Sequence, residues 1–332
     1  MHIEVDDGVI TGANTAPKFS DWFNPLTYTV VGAPVAGGKV NLDETTGNFT
    51  FLPYIADTTP SGADQFSVLV AETTWFDSVP EQLPVVKYLA KPALRRLHQI
   101  PVVKDVLAPL IGRSMKATVH VNIDAFVDDD MAPIAFTTTV TSFDGTPISI
   151  NWFPKSGLTA AATDLAPTIL DGPGLATAGS TDPNEGPTSD GMLPGLKQMR
   201  AAGYHVVTWD PRGEFASGGI LHLDSEVFEA RDISAIIDWV ATQPRTQFDP
   251  DSTDDPRIGM LGGSYGGGIQ LTSAGIDSRI DAIAPGVAWN KPRHRPVSQQ
   301  CVQDVVCVDN PAHPCGLRLP DRSGDLRGHP HR

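Results

Sequence analysis

Apolar and polar residues alternate in short runs through the first 126 residues. Leu26 to Val30, Lys39 to Leu42, Asn48 to Phe51 and Gln65 to Val70 each send side chains to two faces in turn. That period of two predicts half-buried strands. Gly37-Gly38 and Thr46-Gly47-Asn48 punctuate them as turns. Short strands at roughly ten-residue spacing predict an all-β sandwich. Lys116 to Ile123 supplies a closing strand. Between the last two strands, residues 80 to 114 are rich in Leu, Val and Pro. Tyr88, Leu89, Leu94 and Leu97, with Lys91, Arg95 and Arg96 between them, predict short amphipathic helices broken at Pro92 and Pro101. This helical excursion is expected to pack within the chain. A partner or lipid surface is the alternative.

The pattern changes between residues 136 and 290. Phe136 to Thr141 and Ile148 to Phe153 flank Asp144-Gly145 and predict a hairpin. Strands at Pro167 to Leu170, Tyr204 to Trp209, Arg257 to Leu261 and Ile280 to Ala284 then alternate with helices. The helices are predicted over Met192 to Ala202, Ser225 to Ala241 and Gly267 to Ile276. In the second, Val227, Ile233, Ile236, Ile237 and Val240 recur at helical spacing, and Asp224 or Ser225 is the expected N-cap. A hairpin followed by βαβ units predicts an α/β sheet, parallel after its start.

Residues 291 to 332 share neither pattern. They carry six Arg and one Lys against four Asp, a balance of +3 in a chain of net charge −15. They hold all three cysteines (Cys301, Cys307, Cys315), and His294, His313, His329 and His331. This stretch is expected to be an out-of-frame tail without regular structure, with a native basic tail as the alternative. The domains expected are therefore a β domain at 1–126, a partial α/β domain at 136–290 and an anomalous tail at 291–332.

The cysteine spacings match no common zinc pattern. Asp6, Asp7, Asp21, Asp43 and Glu44 form no calcium-loop run and read as solvated loop carboxylates. No metal or cofactor is expected. The negative charge disfavours nucleic acid as a partner, and no apolar run is long enough for a membrane span. The N-terminus has no basic and apolar segments of a signal peptide.

Gly262-Gly263-Ser264-Tyr265-Gly266 has the form G-x-S-x-G between a strand and a helix, the context of a nucleophile elbow. Trp209-Asp210-x-Arg212-Gly213-x3-Ser217-Gly218 and Glu229-x2-Asp232-x6-Trp239 precede it. Together these resemble the X-prolyl dipeptidyl-peptidase and cocaine-esterase family of α/β-hydrolases over about residues 136 to 290. The N-terminal wording, Asn24 to Val70, resembles bacterial cadherin-like and immunoglobulin-like repeats.

The hydrolase resemblance implies a serine hydrolase acting on a small acyl ester or a short Xaa-Pro peptide, secreted or bound to the cell envelope. It implies Ser264 as nucleophile and the Tyr265 backbone N–H as one oxyanion donor. Gly174, in the turn Asp171-Gly172-Pro173-Gly174-Leu175, is the candidate second donor, with Leu175 beside it. The tyrosine that relatives use at this turn is absent. Asp210, Arg212 and Glu229 are expected to form a supporting ion-pair and hydrogen-bond network. His205 reads as a core residue, His222 as a residue that could approach the site, and His98 and His120 as outside it. The triad acid and histidine should follow the serine. No residue beyond Ser264 fits either role, so the sequence predicts a fold truncated after the elbow, with weak or absent turnover. The alternative is a non-catalytic binding or adhesion protein acting through its β domain.

Overall fold

A computed structural model describes residues 2–14, 25–56, 63–73, 96, 100, 113–122, 133–159, 161 and 163–288. The expected tail at 291–332, and nearly all of the helical excursion at 80–114, lie outside the described residues. The described residues belong to one compact unit.

Near the N-terminus a hairpin that the sequence reading overlooked joins β1 (His2–Asp6) to β2 (Val9–Ala13). Its turn is Asp7-Gly8, both with positive φ (47° and 74°). That is the backbone an Asp-Gly hairpin turn supplies. β2 pairs with β5 (Phe49–Leu52), and β5 with β4 (Lys39–Leu42). A second antiparallel sheet runs β3 (Leu26–Gly32), β6 (Ala63–Glu72), β7 (Ser114–Asn122). The two sheets share one apolar cluster. Phe49, Phe51 and Ile10 from the first meet Phe66, Val68, Val119 and Val121 from the second. Phe66 lies edge-on to Phe49 and stacks on Phe51.

The larger sheet has the order β13-β12-β10-β11-β9-β8. The hairpin of β8 (Phe136–Thr141) and β9 (Pro147–Phe153) adds antiparallel to β11 (His205–Trp209). β11, β10 (Thr168–Gly172), β12 (Ile258–Gly263) and β13 (Ile280–Gly286) then run parallel. Three helices make the crossovers among the described residues: α1 (Leu196–Ala201), α2 (Glu229–Ala241) and α3 (Tyr265–Ala274).

The alternation along each strand assigns its two faces. Ile148, Ile150, Leu170, Val207 and Met260 point to a cluster with Ile233, Ile236, Ile237 and Val240 of α2 and Ile269 of α3. Phe153, Val206, Ile169 and Leu261 point to the other face, against Leu196 and Met199 of α1. Val9 and Leu52 of the N-terminal strands join that second cluster, so the small sheets help to bury the large one.

Polar anchors reinforce that contact. Asp7, expected to be a solvated loop carboxylate, is exposed on its turn and also bonds across to the larger sheet. Its oxygens accept from Ser156 Oγ at 2.7 Å and the Gly157 N–H at 2.8 Å. They also lie 3.3 Å from the Arg200 guanidinium, which is buried in α1. Arg200 donates besides to the carbonyls of Asp7 and Pro154. Asp43 lies exposed at its turn, as expected, and accepts the N–H groups of Thr45 and Thr46.

α2 starts later than the pattern predicts. Its N-cap is Phe228, not Asp224 or Ser225, and Val227 lies exposed before the helix. Leu223 and Asp224 hold positive φ (59° and 60°), so the chain turns sharply there. The Glu229 carboxylate reaches back to the N–H groups of His222 and Ser225. That satisfies donors a conventional cap would serve. α1 is also shorter than expected. Gly195 precedes it, pressed so closely on the backbone of Glu185 and Gly186 that no side chain fits.

No helix among the described residues is long and apolar enough to cross a membrane, which says nothing of β-barrels. No group of three His, Cys, Asp or Glu among them could hold a metal ion.

Candidate active site

The loops after β10, β11 and β12 leave the same end of the parallel strands, where open α/β sheets place ligands. Ser264 stands at the end of β12 and caps α3 without spending its hydroxyl on the helix. Its φ and ψ are 55° and −114°. A non-glycine residue in this region is strained, and such strain is characteristic of an elbow that exposes its serine. Ser264 is exposed, whereas Tyr265 to Gln270 are buried. Its N–H donates to the Gly286 carbonyl at 2.8 Å, which extends the β12–β13 ladder to the elbow.

Three glycines make this turn possible. A Cβ on Gly262 (φ 146°) would lie 2.6 Å from the Gly172 carbonyl oxygen, and one on Gly267 2.7 Å from that of Gly286. Gly266 has no room for a Cβ against Gly172. Gln270, fully buried, braces the arrangement and was not singled out from sequence. Its Nε2 donates to the carbonyls of Gly262 and Gly266, and its Oε1 accepts the Ala284 N–H at 2.9 Å. The signal for it was an amide side chain in a glycine-rich helix, one turn after Gly266.

Tyr265, first residue of α3, holds its backbone N–H at the helix start, where the dipole favours developing negative charge. Its ring is buried among carboxylates. Burial, then Asp224 and Glu229, push the phenol far above its ordinary range. Across the elbow, the Gly174 carbonyl accepts the Thr177 N–H and hydroxyl, closing a small turn. The preceding Asp171 is raised to about 7 by burial and by Glu185.

The expected network of Asp210, Arg212 and Glu229 is three separate networks. Arg212, 3% exposed, forks onto Asp232 and Asp144, which raises its pKa. Ser142 Oγ also donates to Asp232. Asp210 instead accepts the N–H groups of Gly179 and Ala216, and pairs with Lys39 at 3.6 Å. Glu229 serves the loop before α2. Asp224, 6% exposed, has both carboxylate oxygens buried without a hydrogen bond among the described residues. Burial, with Glu229 beside it, raises Asp224 to about 8.

His205 is a buried core residue. Its Nδ1 accepts the Lys155 N–H at 3.0 Å, and Nε2 lies 3.2 Å from the Arg245 carbonyl. It sits level with Ile258, at the opposite end of the strands from Ser264. His222 stacks on Phe228 at 4.0 Å, with Nδ1 3.8 Å from Glu229. No histidine is hydrogen-bonded to Ser264 among the described residues.

A G-x-S-x-G elbow at the end of a parallel strand, opening a helix, defines the α/β-hydrolase class. The chain belongs to the X-Pro dipeptidyl-peptidase (S15) family, whose pattern matches residues 105–305, more than half of the chain. The match begins before β7 and runs past the boundary expected at 290. No curated protein matches. Among solved structures, the chain is similar to an acetyl xylan esterase from Paenibacillus sp. R4 (21% identity, TM-score 0.36, 47% of this chain and 49% of that one). It is also similar to a hypothetical protein from Pseudomonas aeruginosa (19%, 0.37, 47% and 43%). An α/β hydrolase from Penicillium sp. sh18 is a third (20%, 0.34, 45% and 44%). The chain thus spans less than half the length of each.

Proposed function

We propose that this chain is a serine acyl hydrolase that cleaves a small ester or an Xaa-Pro peptide through Ser264. The observation that carries this reading is the strained, exposed Ser264 at the head of α3, its hydroxyl unused by the helix. Ser264 Oγ attacks the acyl carbonyl. The backbone N–H groups of Tyr265 and Gly174 receive the oxyanion. A serine hydroxyl needs a base to take its proton. Among the described residues no histidine is hydrogen-bonded to Ser264 to play that part. The two small sheets are read as an immunoglobulin- or cadherin-like sandwich, supported by the Phe49, Phe51 and Phe66 contacts between them.

The test is hydrolysis of p-nitrophenyl acetate and of an Xaa-Pro p-nitroanilide, alongside covalent labelling by a fluorophosphonate. Ser264→Ala should remove the label and lower the rate by about 100-fold or more. Equal rates in both proteins would refute the reading.

A further inference from the structure

Lys39 belongs to β4 in the N-terminal sheets, yet its ammonium ends inside the α/β half. Nζ lies 3.6 Å from Asp210 Oδ2 and 3.2 Å from Ser149 Oγ. The Asp210 side chain is 2% exposed and that of Lys39 is 23% exposed. Burial lowers the Lys39 pKa, and the Asp210 charge opposes that. Such a pair gives little net stability, because desolvation offsets the attraction. Its geometry points to another role.

Asp210 ties down two loops at the substrate end of the sheet. Oδ1 accepts the Gly179 N–H at 3.0 Å and Oδ2 the Ala216 N–H at 3.3 Å. Gly179 lies against the Trp209 backbone, where a Cβ would approach to 2.6 Å. Asn151 and Thr208 hold the next carbonyl, that of Ser180. The stretch from Gly172 to Gly179 is therefore clamped at both ends, by the elbow and by Asp210. Gly174 sits between the clamps. Lys39 is the cation paired with Asp210 among the described residues, since Arg212 is committed to Asp232 and Asp144.

We propose that Lys39 is a positioning residue for the Ser264 site, holding through Asp210 the loop that carries Gly174. The N-terminal sheets thereby take part in building the oxyanion side. This inference rests on the serine-hydrolase reading for its kinetic consequence, but not for its structural one. Without the ammonium, the buried Asp210 carboxylate loses its counter-charge, draws in water and relaxes its grip on Gly179.

The experiment compares the full chain with Lys39→Met, Lys39→Gln and Lys39→Arg. Amide exchange of the 173–185 segment should speed up by about tenfold in the Met and Gln proteins, with β11 and β12 unchanged. Lys39→Arg should restore protection. With p-nitrophenyl acetate, kcat should fall about tenfold in the neutral variants while KM stays within about twofold, as for an interaction made in the transition state. Unchanged exchange at 173–185 in either neutral variant overturns the proposal. So does a fall in kcat that Lys39→Arg fails to rescue. If the unaltered chain shows no Ser264-dependent hydrolysis, the serine reading falls, and amide exchange alone decides the role of Lys39.

Discussion

Gly172, the last residue of β10, and Gly266, the second residue of α3, touch backbone to backbone: a Cβ on Gly172 would lie 2.9 Å from the Gly266 Cα. The strand and helix that frame Ser264 can approach this closely only because both residues lack side chains. Gly266→Ala forces a methyl group into the Gly172 carbonyl and should cost about 2–3 kcal/mol by overpacking. Gly259→Ala is the control, since its Cβ would meet only Ile169 Cγ1 at 3.9 Å. Urea denaturation of the two variants should show a large midpoint shift for the first and almost none for the second.

The Asp7 anchor can be separated from its turn. Asp7→Asn tolerates the positive φ but replaces one carboxylate oxygen with an amide nitrogen. It cannot accept from both Ser156 and Gly157, and it removes the charge opposite Arg200. We expect a loss of about 1–2 kcal/mol, read as a lower urea midpoint at unchanged m-value.

His205 makes stability depend on pH. Burial, with Lys155 and Arg245 nearby, lowers its pKa to about 4, from about 6.5 in an unfolded chain. Its Nδ1 already accepts an N–H, so protonation would set two donors against each other. The unfolded state binds the proton more readily. This contribution is present above about 6.5, and is lost as pH falls from there to about 4, by on the order of 3 kcal/mol. His205→Gln should flatten that part of the stability profile. An equally steep profile in the variant would rule out His205 as the source.

Asp224 works in the opposite sense. Its folded pKa, about 8, lies above the unfolded value of about 4. The fold therefore prefers the neutral carboxyl. That contribution is complete below about 4 and lost as pH rises through about 8. Asp224→Asn mimics the neutral form and tolerates the same positive φ. Its advantage in thermal stability should grow from pH 5 to pH 9 and reach at least about 1 kcal/mol. A constant difference across that range would count against a charged, unpartnered Asp224.

The strands of the large sheet were legible because both kinds of signal were local. Asp144-Gly145 marks its hairpin, and Leu170, Val207 and Met260 alternate with residues of the opposite face. Ser264 was legible for the same reason, as glycines crowd its turn. The first hairpin was missed although Asp7-Gly8 announces it. His2, Glu4 and Asp6 point to solvent, and Ile3 and Val5 are only half-buried, so the apolar signal is weak. The start of α2 was misread because Ser225 has the chemistry of a cap. There Glu229 supplies the bonds from inside the helix. Asp210 and Arg212 are two residues apart, yet take partners from different parts of the chain. Lys39 and Asp144 reach them through folding alone, and no local window contains those pairs.

The Arg200 guanidinium bonds the Asp7 carbonyl across 193 positions of sequence. A lone two-stranded hairpin is marginal in water, and the Arg200 part of this one's anchor arrives only when α1 has been synthesised. Contacts of such long range close slowly, because the intervening chain must be ordered first. The hairpin is thus secured late. Until then Val9 and Leu52, apolar residues destined for the large sheet, wait without the surface they will cover.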